Sequence, residues 1–300
     1  MSHIAVIGNR NAGGGRAGKA LPILLHKLRE AGHGITLIDE PSLPAAVEAT
    51  NDLAHATAII ACGGDGTVHF TLQVALRLGI PMGIVPAGSG DDAARAIGLP
   101  HGRRQSQVLA SIEHTVRSIG TSRSVDVIWA TTADGVEHAY LGVLGAGFDS
   151  RVNARANGLS FPPGTLKYVR AMLQEIRSFS PIQYQVEFEN ETIEASGMLI
   201  AVGNGSTYGG GMRVCPGADV HDGTAEILIV GELPKLAFLT LFPRVFSGTH
   251  VQHPVTRVLT GREFTLHAPD QLVYADGEYL GPAPARIRVQ ADAVQIIGAP

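Results

Sequence analysis

Three glycine-rich segments in the first third of the chain constrain its fold more than any other feature of the sequence. They span residues 13–20, 63–67 and 86–95, and each follows a short apolar run with the composition of a strand. Helical periodicity follows each of these segments. Strands and helices that alternate in this way predict a parallel sheet with helices on both faces.

The individual elements of this region follow from the same pattern. Leu21, Leu24, Leu25 and Leu28 recur at the spacing of one helix face, and Gly32 is placed to end that helix. The other elements expected are strands at 3–7, 34–38, 57–62 and 81–85, and helices from about residue 44 and over 67–78.

From about residue 124 the pattern becomes that of an antiparallel β-sandwich with two helical interruptions. Two hairpins are expected, 124–131 with 136–144 and 183–188 with 192–202. Further strands are expected at 225–230, 255–259, 263–267, 271–275 and 285–297, and helices near 166–177 and 236–246. We therefore predict an α/β domain over 1–123, with 290–300 as a candidate addition, and a β-sandwich domain over 124–289.

Composition excludes several classes of protein. A hydrophobic content of 45% is ample for packed cores, and a net charge of −4 disfavours a nucleic-acid partner. Two cysteines do not make a disulfide framework. Because the N-terminus lacks signal-peptide features and no long apolar run follows, we expect a cytoplasmic protein that does not span the membrane.

The first glycine-rich segment, 13–20, is compatible with several kinds of phosphate loop. It matches G-x-G-x-x-G and nearly matches G-x-x-x-x-G-K-[ST]. Residues 9–12 separate it from the preceding strand, which disfavours a Rossmann fingerprint, and Ala20 stands where a P-loop needs a hydroxyl for Mg²⁺. A phosphate loop of another type and a simple glycine turn stay open.

The second segment, Gly-Gly-Asp-Gly-Thr at 63–67, is the strongest candidate for a phosphate site. It stands at the carboxyl end of a predicted buried strand and opens a helix, where unpaired amides face the ligand crevice of α/β sheets. Asp65 would stand beside bound phosphate, an arrangement that a divalent cation stabilises. A simple Asp-Gly turn is the alternative.

The third segment, 86–95, repeats this placement after the next strand. Ser89, Asp91 or Asp92 is suited to cap the short helix that follows, which is the structural alternative to ligand binding. Two adjacent loops of this kind favour one shared crevice.

The ordered motifs resemble those of the diacylglycerol kinase and sphingosine kinase family of lipid kinases. Besides 63–67 and 86–95, they are Gly-Ala-Gly-Phe-Asp at 145–149, Asn204 with Tyr-Gly-Gly-Gly-Met at 208–212, the segment 216–223, and Asp-Gly-Glu at 276–278. NAD kinases and phosphofructokinases share the Gly-Gly-Asp-Gly loop, so the whole set carries the resemblance. It implies that 1–123 is a phosphofructokinase-like or NAD kinase-like nucleotide-binding domain and that the β-sandwich over 124–289 binds the lipid substrate.

The resemblance also implies an activity, ATP-dependent phosphorylation of a lipid hydroxyl with Mg²⁺, with diacylglycerol as the favoured substrate and phosphatidic acid as its product. The residues implied around ATP are Asn9, Gly63, Gly64, Gly66, Thr67, Gly88, Ser89, Gly90 and Asp91. Asp65 would join the metal and phosphate network. Glu278 would be the general base for the hydroxyl proton, with Asp276 in support and a surface turn as the alternative.

A second Mg²⁺ site is implied at Asp222, with help from the carbonyls of Asp219 and Thr224. Here a simple turn is an equal alternative.

Three segments depart from the family pattern. Asn9-Arg10 replaces Asn-Pro, Ser89 and Asp91 replace Thr and Asn, and His69-Phe70 replaces Asn-Glu. Phe70 removes an acid and Asp91 adds one near the expected nucleotide. A catalytically impaired regulatory protein that binds nucleotide or lipid therefore stays open, beside a sphingoid-base kinase and an NAD kinase.

Membrane access has one candidate in the sequence, a basic stretch that comprises Arg151, Arg155, Lys167, Arg170 and Arg177. It is suited to anionic lipid headgroups at the inner membrane face, although a solvated helix face is the alternative. The apolar residues of 236–246 are interpreted as sandwich core. We expect a lipid partner at the membrane surface, and a homodimer stays open.

Overall fold

The computed structural model describes residues 2–159 and 165–300 and has two compact units. Unit 1 runs to Asp126 and includes Asp292–Pro300, and unit 2 comprises Val127–Ala291. The boundaries predicted from the sequence lie at 123 and 289.

Unit 1 is an α/β domain built on a parallel sheet. Its strands are β1 (His3–Gly8), β2 (Gly34–Ile38), β3 (Ala58–Gly63) and β4 (Met82–Pro86), and its helices are α1 (Ala12–Glu30), α2 (Leu43–Ala49), α3 (Asp65–Leu78), α4 (Asp92–Ile97) and α5 (Gln105–Arg117). The strands pair in parallel in the order β2-β1-β3-β4. The predicted fold class of this region is confirmed.

Burial in unit 1 follows the sequence pattern. All six residues of β3 are buried, as expected for a strand covered on both faces. The four leucines that predicted α1 lie in the same core as Ile4 and Ile60. Gly13, Gly14 and Gly15 at the start of α1 have φ of 60°, 67° and 88°, so they form a left-handed turn before the regular helix.

Unit 2 is built on antiparallel strands. These are β5 (Ser122–Thr131), β6 (Glu137–Tyr140), β7 (Val143–Gly147), β8 (Ile182–Glu187), β9 (Thr192–Gly203), β10 (Ala225–Gly231), β11 (Thr256–Gly261), β12 (Glu263–His267), β13 (Leu272–Ala275), β14 (Glu278–Pro282) and β15 (Ala285–Ile297). β9 pairs with β8 along its first half and with β7 and β10 along its second. The boundary between the units falls within β5 and within β15.

Unit 2 also contains α6 (Phe148–Asn157), α7 (Thr165–Glu175) and α8 (Lys235–Leu241), followed by 3₁₀ turns at Phe242–Phe246 and Thr249–Gln252. The rings of Phe179 and Phe238 meet the ring of Phe148 edge to face, with centroids 5.2 and 5.0 Å away. These rings join the three helices in one apolar cluster, which also includes Met172 and Leu241.

Three expectations for unit 2 are corrected by the structure. The strand expected over 136–144 is divided, because a turn at Leu141-Gly142 sends β7 to β9 and β13 instead of continuing β6. β14 and α6 are additions to the elements that the sequence predicts. The segment 236–246 is core only in part, since Phe238 and Leu241 are buried while the side chain of Leu236 is 79% exposed.

Among the helices in the described ranges, none combines the length and the apolar character needed to cross a bilayer.

Loss of the Phe148 ring should destabilise unit 2. Phe148 is 4% exposed and contacts two other rings, so we expect Phe148→Ala to lower the free energy of unfolding by about 3–5 kcal/mol. Phe246→Ala is the control, because Phe246 is 48% exposed, and it should cost about 1 kcal/mol or less. Urea unfolding followed by circular dichroism measures both. Equal losses would contradict the role of Phe148 in joining the helices.

Candidate active site

The three glycine-rich segments of unit 1 lie side by side at the carboxyl ends of β1, β3 and β4. A Cβ atom on Gly13 would overlap the carbonyl oxygen of Ala87, and one on Gly88 would lie 2.5 Å from the Cα of Gly64. The loops therefore touch backbone to backbone, and larger residues at these positions would force them apart.

Asp65 links the second segment to the third. It is the first residue of α3, and its Oδ1 accepts the amides of Asp92 at 2.8 Å and of Ala93 at 3.4 Å. These amides belong to the first turn of α4, so the Asp65 carboxylate caps that helix from outside it. The sequence motif predicts only the metal and phosphate role of Asp65, because the capping contact joins residues that are distant along the chain.

The carboxylates of Asp65 and Asp92 also approach a common point. A Cβ on Gly90 would lie 2.5 Å from Asp65 Oδ2 and 2.8 Å from Asp92 Oδ2. Two carboxylate oxygens that lie close together, with no side chain between them, are suitable ligands for Mg²⁺. Phosphate oxygens and water would complete its coordination. The described residues contain no group of three or more His, Cys, Asp or Glu that would hold a metal without such help.

Asp91 is buried within the third glycine-rich segment. It is 4% exposed, adopts φ of 57°, and its Oδ1 accepts the amide of Gly88 at 3.0 Å. Burial raises the pKa of this carboxyl group, against the opposing effects of the Gly88 amide and the Arg16 charge. Its carboxylate therefore shapes its own loop, whereas Ser89 in the same loop is exposed.

Arg16 is a component that the sequence motifs do not indicate. Its Nη2 donates to the carbonyl oxygen of Gly88, and its Nε is buried without a hydrogen-bond partner. The space beside Gly14 and Gly15 is open, since a Cβ there would meet nothing within 4 Å. A buried, unsatisfied cationic donor beside a glycine turn fits a polyphosphate.

The remaining residues expected around ATP have mainly local contacts. Asn9 Oδ1 accepts the amide of Asn11 at 3.1 Å, and the Asn9 amide donates to the carbonyl oxygen of Cys62 at 3.2 Å. A Cβ on Gly63 would overlap the side chain of Thr67, while Gly66 follows Asp65 in the first turn of α3.

In unit 2, Asp276 ties two turns together. Its Oδ1 and Oδ2 accept the amides of Gly142 at 3.0 Å and Leu141 at 3.2 Å. A Cβ on Gly142 would overlap this carboxylate. Asn204 completes the junction, because its Nδ2 donates to the Leu141 carbonyl at 3.1 Å and its amide donates to the Gly142 carbonyl at 2.9 Å.

The same junction sets the position of Glu278. Asp276 and Gly277 have φ of 53° and 85°, so they form a tight hairpin turn in which Glu278 pairs with Ala275 at the start of β14. Glu278 is exposed. A carboxylate on a rigid strand end, open to solvent, is suited to take a proton from a substrate hydroxyl.

The segment expected to hold the second Mg²⁺ forms a turn. Asp222 Oδ1 accepts the amide and the hydroxyl of Thr224, each at 2.8 Å, and Asp219 Oδ1 accepts the amide of His221 at 3.1 Å. The carbonyl of Asp219 accepts the amide of Asp222 at 3.4 Å. These hydrogen bonds lie within the turn, and the second Mg²⁺ site at Asp222 stays a prediction.

Asp149 in the 145–149 motif carries a perturbed carboxyl group. It accepts a short hydrogen bond from the hydroxyl of Tyr208, and a Cβ on Gly145 would overlap its Oδ2. Burial raises the pKa of Asp149 to about 6, although the Tyr208 hydroxyl opposes that shift. In the sequence, this motif contributes to the resemblance alone and gives no sign of the perturbed carboxyl group.

The basic stretch is only partly exposed, and its predicted role at the membrane stays a prediction. Arg155 pairs with the buried carboxylate of Glu175 through Nη2 at 2.7 Å and Nε at 2.8 Å, and Arg151 lies 4.0 Å from the same group. These two arginines therefore neutralise a buried acid and join α6 to α7. Arg170 and Arg177 are exposed, and the side chain of Lys167 lies outside the described residues.

The raised pKa of Asp149 predicts a pH-dependent stability. Below about pH 4 the carboxyl group is protonated in the folded and unfolded states, and as pH rises through about 6 the folded state loses stability because it holds the proton more tightly. Asp149→Asn keeps an acceptor for Tyr208 and removes this titration. We compare the free energy of unfolding of the variant with that of the wild type by urea unfolding. This difference should be about 1–3 kcal/mol more in favour of the variant at pH 7 than at pH 4. A pH-independent difference would contradict the assignment.

Comparison with known proteins gives consistent matches over nearly the whole chain. The family model described as diacylglycerol kinase catalytic domain matches residues 3–148, and the one described as YegS C-terminal NAD kinase beta sandwich-like domain matches residues 142–298. A crystal structure of a diacylglycerol kinase from Bacillus anthracis shares the fold, with a TM-score of 0.71 at 17% identity over 99% of this chain and 96% of that one. The predicted β-sandwich is thereby confirmed.

Curated relatives agree with the family models. The chain is 25% identical to "Probable lipid kinase YegS" of Salmonella typhimurium over 246 residues, which cover 79% of this chain and 76% of the relative. It is 36% identical to the diacylglycerol kinase of Mycobacterium tuberculosis over 243 residues, which cover 80% and 76% of the two chains. The chain therefore belongs to the diacylglycerol kinase family of lipid kinases.

Proposed function

We propose that this protein transfers the γ-phosphoryl group of ATP to the free hydroxyl of diacylglycerol, giving phosphatidic acid and ADP. The convergence of the three glycine-rich loops on Asp65 and Arg16 is the observation that carries the kinase proposal. The choice of diacylglycerol rests on the relative that is 36% identical. Because the substrate lies in a bilayer, the proposal includes peripheral contact with a membrane.

Unit 1 supplies the groups that bind the triphosphate. The amides at the start of α3 and in the 13–15 turn, together with the Arg16 guanidinium, would hold the phosphate oxygens. Asp65 and Asp92 would hold Mg²⁺, which when bound neutralises charge on those oxygens. Glycines at 13, 64, 88 and 90 allow this because no side chain occupies the surface.

Unit 2 supplies the proton acceptor. The lipid hydroxyl oxygen attacks the γ-phosphorus, the bond between that phosphorus and the β,γ-bridging oxygen breaks, and Glu278 takes the hydroxyl proton late in the step. Asp276 does not need to touch the substrate for this role. It is a positioning residue, because its bonds to Leu141 and Gly142 fix the hairpin from which Glu278 projects.

One assay separates this proposal from its alternatives. The purified full chain is incubated with labelled ATP and Mg²⁺ and with diacylglycerol, a sphingoid base or NAD in separate reactions. Label in phosphatidic acid supports the proposal. Label only in the phosphorylated sphingoid base or in NADP would show that the substrate is not diacylglycerol. ATP binding without any labelled product would favour a regulatory protein.

Asp65→Asn should separate the charge of Asp65 from its capping role. The amide side chain keeps an oxygen for the Asp92 and Ala93 amides, so folding should be unchanged. Loss of the charge beside Mg²⁺ should lower turnover at least about tenfold. The exposed Asp52 of unit 1 gives the matched control, Asp52→Asn. Wild-type turnover of Asp65→Asn throughout a Mg²⁺ titration would overturn the metal role.

Glu278→Gln should slow the chemical step without changing the affinity for ATP. The variant keeps size and hydrogen-bonding shape but cannot accept the hydroxyl proton, so phosphoryl transfer to lipid should fall by roughly 10² to 10⁴. ATP affinity, measured by calorimetry, should change little. Glu189→Gln is the control, since Glu189 is exposed in the turn between β8 and β9.

Two outcomes of the Glu278 experiment would reject the assignment. If Glu278→Gln turns over at the wild-type rate while chemistry is rate-limiting, the base lies elsewhere, and Asp276 is the next candidate to test. If ATP binding and catalysis weaken together, Glu278 belongs to nucleotide or metal binding.

A further inference from the structure

Helices α7 and α8 of unit 2 pack on one apolar core and leave apolar residues on their outer sides. On the inner side, Met172 and Ile176 of the α7 segment and Phe238 and Leu241 of α8 are buried in the same cluster. On the outer side, Leu173 is 48% exposed and Leu236 is 79% exposed. Within the part of the chain that the structure describes, these two leucines lie outside the apolar cluster.

Cationic groups accompany both exposed leucines. Lys235 directly precedes Leu236, and its Nζ donates to the carbonyl oxygen of Arg177 at 2.5 Å. This bond brings the start of α8 to the end of α7, where the exposed Arg177 follows Leu173 by four residues. We call Leu173, Arg177, Lys235 and Leu236 the α7–α8 patch. Two acidic residues are near the patch in the sequence: Glu232 is exposed three positions before Lys235, and Glu175 is buried in its pair with Arg155.

The chemistry of the patch suits an anionic bilayer surface. Leucine side chains enter the boundary between headgroups and acyl chains, while Lys and Arg extend their charged ends to the lipid phosphates. A single leucine gives weak attachment, and neighbouring cations strengthen it on membranes that carry negative lipids. An apolar protein partner would not need these cations around the leucines.

We propose that the α7–α8 patch is the surface by which this protein docks on anionic membranes. The proposal rests on the proposed function for its purpose, because diacylglycerol is presented at a bilayer surface. It keeps Arg177 of the basic stretch expected from the sequence, and it leaves out Arg151 and Arg155, which pair with Glu175. Attachment is reversible and depends on both the leucines and the cations.

Vesicle co-sedimentation of the full chain without ATP tests the patch directly. Vesicles of equal parts phosphatidylcholine and phosphatidylglycerol should bind the wild type, and phosphatidylcholine alone should bind it less. Leu236→Ser should weaken binding to the mixed vesicles about tenfold. Leu43→Ser is the matched control, because Leu43 of α2 in unit 1 is 63% exposed, and its binding should equal that of the wild type.

The charge contribution is measured separately. Arg177→Gln and Lys235→Gln should each weaken binding to the mixed vesicles about fivefold and reduce the effect of added salt. Arg29→Gln, at the exposed end of α1, is the control and should bind as the wild type does. Equal binding of Leu236→Ser and the wild type, or binding that does not distinguish the two vesicle types, would overturn the proposal.

Two further readouts distinguish membrane docking from loss of catalysis and from contact between two copies of the chain. Leu236→Ser should lose activity on diacylglycerol embedded in mixed vesicles but keep activity on a short-chain diacylglycerol dissolved as monomers. If the wild type has no kinase activity, the vesicle measurement still decides the surface. If Leu236→Ser changes the oligomeric state by light scattering and leaves vesicle binding unchanged, the patch joins two copies of the chain and the membrane proposal is rejected.

Discussion

The hydrogen bonds that carboxylates accept from backbone amides hold the candidate site of each unit in shape. In unit 2, Asp276 accepts hydrogen bonds from two amides of the turn between β6 and β7 and thereby fixes the hairpin that carries Glu278. In unit 1, Asp65 accepts hydrogen bonds from two amides of α4, and Asp91 accepts one from the amide of Gly88. Each bond satisfies donors that a loop would otherwise bury unpaired, and such donors are costly.

This arrangement explains why glycine and aspartate recur together in the chain. At positions 88, 90 and 142 a side chain would collide with a backbone atom or with the aspartate itself. The glycine provides the close approach, and the aspartate stabilises it. Asp65 has a shaping task in addition to the chemical task proposed for it, so a variant that removes its side chain altogether would confuse the two.

Local sequence pattern was enough to predict a large part of the molecule. The strands of unit 1, its helices other than α5, the loops at strand ends and the hairpin of β8 and β9 all follow from spacing and turn residues. Contacts between distant residues were beyond its reach. Nothing local indicates that Arg155 pairs with Glu175, that Asp65 caps α4, or that Leu236 faces outward while Phe238 is buried. Those outcomes depend on which element packs beside which.

Unit 1 consists of two segments that are far apart in the chain, and this affects the order in which its parts are synthesised. Its sheet includes the end of β15, where Ile296 lies beside Met82 of β4. Just beyond β15, the carbonyl oxygen of Gly298 lies 2.8 Å from Nε2 of His114 in α5. These residues follow the whole of unit 2 in the chain. During translation these residues are therefore synthesised after all of unit 2, and the sheet of unit 1 gains its contact with β15 only then.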